Sequence, residues 1–128
     1  MVESSPWIAI VDDDPAVLRA LSRLLRSQTF RVDIYGSGHE FIAALPDGLP
    51  ECLIVDFQMA DMNGLELQQH LLSRRIAVPT ILISAHADAA THFQPPGDTF
   101  VARLRKPLQA DALFLAIDKA IGRRLCDD

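Results

Sequence analysis

Acidic side chains follow two apolar runs of this 128-residue chain, at the point where each run ends. Asp12 and Asp13 come directly after Trp7–Val11, and Asp56 closes the run that begins at Cys52. Carboxylates placed close together raise one another's pKa unless a cation relieves their repulsion. Mg²⁺ suits this role because it prefers one or two carboxylates together with water and phosphate oxygens. The acid pair and the single acid therefore predict a magnesium site.

Two further polar residues follow later apolar runs. Ser84 closes the fourth run, and Lys106 comes after the fifth. Ligands of an open parallel sheet bind beyond the carboxyl ends of its strands, so all these side chains are expected at one edge. A metal ion and an ammonium group neutralise phosphoryl oxygens there, while a carboxylate can attack phosphorus. Asp56 is the predicted nucleophile because it stands alone, whereas Asp12 and Asp13 are paired for the metal.

The positions of these residues depend on strands and helices that alternate about five times along the chain. Short uninterrupted apolar runs are typical of strands buried on both faces, and apolar residues at helical spacing predict amphipathic helices. The predicted strands are Trp7–Val11, Phe30–Tyr35, Cys52–Asp56, Thr80–Ser84 and Phe100–Leu104. This alternation predicts an α/β fold, with one doubly wound five-stranded parallel sheet covered by helices on both faces.

Polar residues, proline and glycine mark where the helices begin or end. They are Asp14 with Pro15, Ser37 with Glu40, Asn63 with Gly64, and Gly122. Ser37 and Glu40 are predicted to form a capping box, and the last helix is predicted from about Ala110 to Ile121. The connection between the fourth and fifth strands contains Pro-Pro-Gly at 95–97. We expect a short helix or an irregular loop there, because proline stops a helix.

Composition places the chain among single globular domains. Hydrophobic residues make up 49% and charged residues 23%, which predicts one domain over 1–128 with a core at about 7–122. No apolar run approaches the roughly 18 residues of a membrane span, and the first residues do not resemble a signal peptide.

Cys52 is predicted to be a core residue and Cys126 an exposed thiol, so we expect no disulfide and a cytoplasmic chain. A net charge of −5 argues against direct nucleic-acid binding.

Four motifs together resemble those of response-regulator receiver domains, the CheY-like phosphoacceptor modules of two-component signalling. They are IVDDDP, LIVDFQMADMNG, ILISAHAD and RKP. The resemblance covers nearly the whole chain, and the residues of the motifs are most similar to those of FixJ-type receivers. It implies a flavodoxin-like sheet of order 2-1-3-4-5 and phosphoryl transfer to Asp56 from a histidine kinase or a histidine phosphotransfer protein. It implies a switch with self-assisted phosphoryl transfer and autodephosphorylation, not an enzyme.

The same resemblance assigns roles to the residues at the strand ends. Asp13, Asp56 and the backbone carbonyl of Gln58 would hold Mg²⁺, with Asp12 acting largely through water. Ser84 and Lys106 would contact the phosphoryl group. The switched output would be a downstream effector domain or protein, and phosphorylation could lead to a homodimer. Control of the phosphate's lifetime by Gln58 and His86 is a hypothesis, which dephosphorylation rates of their alanine variants would test.

Three departures from the family pattern keep alternatives open. Met59-Ala60 replaces the usual Met-Pro, the fourth connection is interrupted, and Arg103 replaces an aromatic whose rotation reports phosphorylation. Arg103 is interpreted either as a solvent-exposed charge on an edge strand or as a switch residue. A degenerate receiver acting as a phosphorylation-independent scaffold is one alternative. A metal-dependent aspartyl phosphohydrolase is a weaker one, because Gln58 occupies the place of its second acid.

Overall fold

The computed structural model describes residues 6–59, 62–85 and 100–122. Within these residues, strands and helices alternate along the chain. The strands are β1 (Trp7–Val11), β2 (Arg31–Tyr35), β3 (Cys52–Asp56), β4 (Thr80–Ser84) and β5 (Ala102–Arg105). The helices are α1 (Pro15–Arg26), α2 (Gly38–Ala44), α3 (Gly64–Ser73) and α4 (Ala110–Ile121), with a 3₁₀ helix at Leu45–Asp47.

The five strands form one sheet in the order β2-β1-β3-β4-β5, and every pair is parallel. This confirms the predicted doubly wound topology. Strands β3 and β4 are buried at every position, because each has a strand on both sides and helices on both faces. The strand order reverses between β1 and β3, and the carboxyl ends of such strands form the ligand crevice of an open α/β sheet.

Two apolar clusters cover the two faces of the sheet. Helices α1 and α4 pack on one face through residues such as Leu25 and Ile117, while α2 and α3 pack on the other through Phe41 and Leu67. Cys52 is completely buried in the first cluster, as predicted, and burial raises the pKa of its thiol to about 12. Its apolar surroundings keep the thiol neutral, so it behaves as a small core residue.

Most of the predicted helix ends are confirmed. The Asp14 side chain accepts a hydrogen bond from the Ala16 N–H at 2.9 Å and caps α1. Gly122 ends α4 in the left-handed region, with φ at +70°, which glycine adopts without steric cost. Asn63 and Glu66 form a complete capping box at α3.

The predicted capping box at α2 is only half formed. The Ser37 hydroxyl accepts from the Glu40 N–H at 3.1 Å, as a capping box requires. The returning bond differs, because the Glu40 carboxylate accepts from the Gly36 N–H at 3.0 Å and not from that of Ser37. The Glu40 carboxylate thus binds the amide one residue before the N-cap, and only the Ser37 bond caps α2 as predicted.

The start of the fifth strand was predicted wrongly, by two residues. Phe100 packs against the α2–α3 side of the core, and the ladder with β4 begins where Ala102 faces Ile81. Pairing with β4, more than local hydrophobicity, sets the limits of this edge strand. The predictions for the fourth connection, His86 and Cys126 concern residues outside those described. None of the described helices is long and apolar enough to cross a membrane.

Candidate functional site

Backbone hydrogen bonds hold the predicted site residues at the carboxyl edge of the sheet. The Asp12 N–H donates to the Tyr35 carbonyl at 3.1 Å, which extends the β1–β2 ladder by one residue. The Lys106 N–H donates to the Ser84 carbonyl at 2.8 Å and extends the β4–β5 ladder in the same way. Asp56 is the last residue of β3, between these two pairs. The main chain therefore fixes the backbone positions from which the side chains of Asp12, Asp56 and Lys106 extend.

The lysine ammonium lies between two buried carboxylates. Lys106 Nζ is 3.1 Å from Oδ2 of Asp12 and 3.5 Å from Oδ2 of Asp56. The Asp12 side chain is 0% exposed and that of Asp56 is 8% exposed. One cation cannot neutralise two carboxylates, so this arrangement retains a net negative charge at the edge.

A third carboxylate completes an acidic cluster. One oxygen each from Asp12, Asp13 and Asp56 lie within 4.8 Å of one another. Carboxylate oxygens this close repel one another, and a hard divalent cation that takes oxygen ligands would relieve the repulsion. Asp13 is exposed while the other two acids are buried, which leaves one side open to water. The donor set fits a hard divalent cation with several water ligands.

Burial and a neighbouring charge both shift the pKa of the predicted nucleophile. The pKa of Asp56 is raised to about 6, first because burial disfavours its charged form and second because Asp12 repels it. The Lys106 ammonium and the Gln58 N–H, which lies 3.4 Å from Oδ1, oppose this shift without cancelling it. Sequence reasoning had attributed such a shift to crowded charges, but removal from water is the larger cause.

For the pKa of Lys106, the neighbouring carboxylates outweigh the effect of burial. Burial acts to lower the pKa of Lys106, but its hydrogen bond to Asp12 and the charges of Asp56 and Asp12 raise the pKa above its ordinary value. The ammonium is therefore a permanent cation at any physiological pH. Asp12 is held in turn by the Asp14 N–H, which donates to its Oδ1 at 2.9 Å. A direct ion pair between Asp12 and Lys106 was not predicted, since Asp12 was assigned only a role at the metal.

The remaining predicted residues lie at different distances from this centre. Ser84 is completely buried at the end of β4, one residue beyond Ile83, which faces Asp56 across the ladder. Gln58 is exposed, and its backbone follows the nucleophile at the rim of the site. His86 lies outside the described residues, so its place relative to the site stays a prediction.

Arg103 is not the solvent-exposed charge that one interpretation predicted. The residue is half-buried, and its guanidinium carbon lies 5.6 Å from the centroid of the Phe100 ring. A guanidinium over an aromatic face is attracted by the ring's electron density. Arg103 faces Leu82 in the ladder, on the side of the sheet that α2 and α3 cover. Its contact with Phe100 brings together residues only three apart, yet the sequence pattern gave no sign of it.

One glycine allows α3 to approach the end of β3 closely. The Gly64 N–H donates to the Phe57 carbonyl at 3.0 Å. A Cβ atom at Gly64 would lie 2.9 Å from the carbonyl oxygen of Asp56 and 2.7 Å from Cδ1 of Leu82. Sequence reasoning identified Gly64 only as a turn or cap, because the contact with Asp56 depends on tertiary packing.

A 2-1-3-4-5 parallel sheet with acids, a hydroxyl and a lysine at its carboxyl edge places this chain in the receiver class. The family model described as the response regulator receiver domain matches residues 8–118, and the chain belongs to this family. Receiver domains of response regulators are phosphoacceptor switches of two-component signalling, generally not enzymes, and their partners are histidine kinases and effector domains.

Individual relatives agree with this assignment. The transcriptional regulatory protein FixJ of Rhizobium meliloti is 31% identical over 113 residues, which are 88% of this chain and 55% of that protein. The response regulator protein TmoT of Ectopseudomonas mendocina is 36% identical over 94% of this chain and 55% of its own length. The chain thus spans about half the length of these curated relatives.

Solved structures share the fold over nearly the whole chain. A response regulator receiver protein from Burkholderia phymatum has a TM-score of 0.79 at 39% identity, covering 92% of this chain and 96% of that one. The crystal structure titled FixJ-N has a TM-score of 0.82 at 29% identity and covers 99% of this chain and 100% of its own.

Proposed function

We propose that this chain, as a single receiver domain over 1–128, accepts a phosphoryl group on Asp56. The donor is a histidine kinase or a histidine phosphotransfer protein, and the modification switches binding to a downstream effector domain or protein. The observation that carries the proposal is the Lys106 ammonium, 3.1 Å from Asp12 and 3.5 Å from Asp56 at the carboxyl edge of the sheet. A fixed cation beside a buried carboxylate suits the charge of an incoming phosphoryl group.

The chemistry of the transfer follows from the protonation states of these groups. With a pKa of about 6, Asp56 is mostly ionised at pH 7 and can act as a nucleophile. One of its oxygens attacks phosphorus while the phosphorus–nitrogen bond of the donor breaks, and the bonding electron pair leaves with the imidazole. Lys106 offsets charge on the phosphoryl oxygens, and the Ser84 hydroxyl donates to one of them. Attack of water on the same phosphorus would break its bond to the Asp56 oxygen, release inorganic phosphate and return the carboxylate, which accounts for autodephosphorylation.

The acidic cluster would hold Mg²⁺ during this reaction. Asp12, Asp13 and Asp56 supply carboxylate oxygens within 4.8 Å of one another, and the backbone carbonyl of Gln58 would add a neutral ligand. When bound, the metal ion supplies positive charge that offsets the developing charge on the phosphoryl oxygens. Asp12 would act largely through water at the metal, since its Oδ2 also accepts from Lys106.

Intact-mass measurement after incubation with acetyl phosphate and Mg²⁺ tests the proposed phosphoacceptor. The wild-type chain is expected to gain one phosphoryl group, and Asp56→Asn to gain none because the nucleophile is gone. Asp33→Asn is the matched control, since its carboxylate is 41% exposed in a surface ion pair, and it is expected to behave as wild type. An adduct that persists in Asp56→Asn would show that Asp56 is not the acceptor.

The same measurement separates the alternative functions. A folded wild-type chain that takes no phosphoryl group would favour a phosphorylation-independent scaffold, which Arg103 in place of the family's aromatic residue also favours. Catalytic turnover of an unrelated phosphate ester, such as p-nitrophenyl phosphate, would favour a phosphohydrolase. Gln58 argues against that enzyme, because its side chain cannot act as the second acid.

Arg103 is proposed to relay the switch from its half-buried place over Phe100. A new negative charge near Ser84 would attract the guanidinium along β4 and weaken its contact with the ring. Phosphorylated wild-type protein is therefore expected to show changed amide shifts at Leu82 and Phe100 in nitrogen-15 NMR spectra, and phosphorylated Arg103→Ala to show much smaller changes. Equal changes in the two proteins would eliminate Arg103 as the relay.

The domain is proposed to act in the cytoplasm without direct contact to nucleic acid. The net charge of −5 supports the absence of nucleic-acid contact, because it repels nucleic-acid phosphates.

Phosphorylation is also proposed to cause homodimerisation. Sedimentation before and after treatment with acetyl phosphate tests the homodimer. An unchanged sedimentation coefficient in fully phosphorylated protein would exclude the homodimer at the concentration used.

A further inference from the structure

Three arginines form a row on the outer face of α1. Arg19, Arg23 and Arg26 are separated by four and three residues, which places them above one another on a helix. They are three of the twelve Lys and Arg residues in a chain whose net charge is −5. The outer face of α1 therefore carries a local cluster of positive charge.

The row is not neutralised by the acids around it. Over residues 6–59, 62–85 and 100–122, no ion pair includes an arginine of the α1 row. Asp33 lies on the neighbouring strand, but its side chain points to the other face of the sheet and pairs with Arg31 at 3.6 Å. Like charges four residues apart on a helix destabilise it slightly. Complementing the helix dipole explains arginines in the last turn of α1, but not Arg19 in its first half.

An apolar side chain lies beside the arginines. Ile34 is on the sheet face that α1 covers, two residues after buried Val32, yet 42% of its surface is exposed at the sheet edge. Ile34, Ser22 and the three arginines line a groove of about 390 Å³. We call this the α1–β2 groove.

One arginine also fixes the edge of the sheet. Arg26 Nη2 donates to the Val32 carbonyl at 2.9 Å, so the outer side of edge strand β2 is already engaged at that point. A partner is therefore not expected to add a strand there, because strand addition needs free backbone groups. A guanidinium carries five N–H groups, so Arg26 has donors beyond the one used here. Recognition at this groove would use side chains.

We propose that the α1–β2 groove binds a short acidic segment of a partner protein, with carboxylates facing Arg19 and Arg23 and an aliphatic side chain on Ile34. Guanidinium groups match carboxylates with paired hydrogen bonds, and the isoleucine supplies an apolar contact that a purely ionic surface lacks. A long polyanion fits less well. Helix α1 is only about 18 Å long, and its other end carries the acids at 12–14, which would repel a nucleic acid or an anionic membrane.

Nitrogen-15 NMR titration of the whole chain with synthetic peptides tests this assignment. The probe is a capped hexapeptide of alternating glutamate and leucine, and the matched peptide has lysine in place of glutamate. The acidic peptide is expected to shift the amides of Arg19, Ser22, Arg23, Arg26 and Ile34. The basic peptide is expected to leave them in place. Shifts centred on another surface, or none in 150 mM salt, would overturn the proposal.

Two matched variants separate the groove from the general charge of the protein. Arg19→Glu/Arg23→Glu is expected to weaken binding of the acidic peptide by at least about tenfold, because attraction between the groove and the peptide becomes repulsion. Arg74→Glu/Lys119→Glu makes the same change in net charge at exposed positions, just after α3 and on α4, and is expected to bind as wild type. Equal weakening in both variants would show a general charge effect and contradict the groove.

Two further measurements test the apolar contact and the class of partner. Ile34→Ser keeps every charge and is expected to weaken peptide binding about threefold to tenfold, since it removes a partly exposed apolar side chain. A short DNA duplex that shifts the same amides at lower concentration than the peptide would overturn the choice of an acidic protein segment. Acetyl phosphate is expected to modify all these variants normally, because none of the substituted residues lies at the phosphoacceptor site.

Discussion

Replacement of Lys106 with methionine is expected to lower the free energy of unfolding by about 3 kcal/mol at pH 7 without Mg²⁺. The ammonium is the cation that lies between the carboxylates of Asp12 and Asp56, whose side chains are 0% and 8% exposed. Methionine keeps most of the aliphatic stem, so the loss reflects two buried negative charges that repel each other. Urea unfolding followed by circular dichroism measures the effect.

The dependence on pH and metal distinguishes this effect from a packing defect. Lowering the pH to 5 is expected to reduce the loss, because protonation of a carboxylate removes the repulsion. Addition of Mg²⁺ is expected to recover part of it, since the ion supplies the missing positive charge. Lys119→Met on the exposed face of α4 is the control and should change stability by less than about 0.5 kcal/mol. A loss in Lys106→Met that is independent of both pH and Mg²⁺ would contradict this electrostatic account.

Asp56→Asn is expected to raise the free energy of unfolding by on the order of 2 kcal/mol at pH 7 without Mg²⁺. The folded-state pKa of Asp56 is raised from 3.8 to about 6, so the folded protein binds this proton more tightly than the unfolded chain. Stability from this group is therefore greatest below the unfolded pKa and falls as the pH rises towards 6. Asparagine has no charge to bury, so the variant avoids this loss at neutral pH.

Unfolding curves between pH 4 and pH 7.5 provide the measurement. Wild-type protein is expected to lose stability relative to Asp56→Asn between about pH 4 and 6, and the difference should then remain constant. Saturating Mg²⁺ should reduce or reverse the difference, because the ion stabilises the charged carboxylate. Asp33→Asn should follow the wild-type curve to within about 0.5 kcal/mol, since its ion pair is exposed. Parallel wild-type and Asp56→Asn curves would mean that the carboxylate is well solvated in the folded protein.

These two expectations describe opposite contributions to one site. Lys106 stabilises the folded chain, while the ionised form of Asp56 costs stability that phosphorylation or a metal ion can recover. Functional sites commonly retain groups whose pKa is perturbed by burial and charge. A receiver benefits from this arrangement, because a phosphoryl group or cation entering the site then changes the free energy of the surrounding structure.

Strands and helices were largely predictable from local patterns. The limits of β1, β3 and β4 match the uninterrupted apolar runs, since a strand buried on both faces has little room for polar residues. Helix α1 begins at Pro15 after the Asp14 cap, as predicted, because capping is a short-range interaction. Strand β5 was misplaced because it has a neighbour on one side only, and its ladder with β4 sets its ends.

The sequence by itself determined which residues meet at the edge of the sheet. Parallel strands bring their carboxyl ends to the same side, so Asp12, Asp56, Ser84 and Lys106 had to converge once the strands were identified. Their types then pointed to metal and phosphoryl chemistry, and the family resemblance, now confirmed over residues 8–118, gave each a role.

Only the tertiary structure decided how those residues interact. It paired Lys106 more closely with Asp12 than with Asp56, placed Arg103 over Phe100, and left the arginines of α1 beside an exposed Ile34. It also showed that burial, more than charge crowding, raises the pKa of Asp56. Such features depend on distances of a few ångströms and on access to water. Both are set by packing between segments far apart in the chain, which local patterns do not encode.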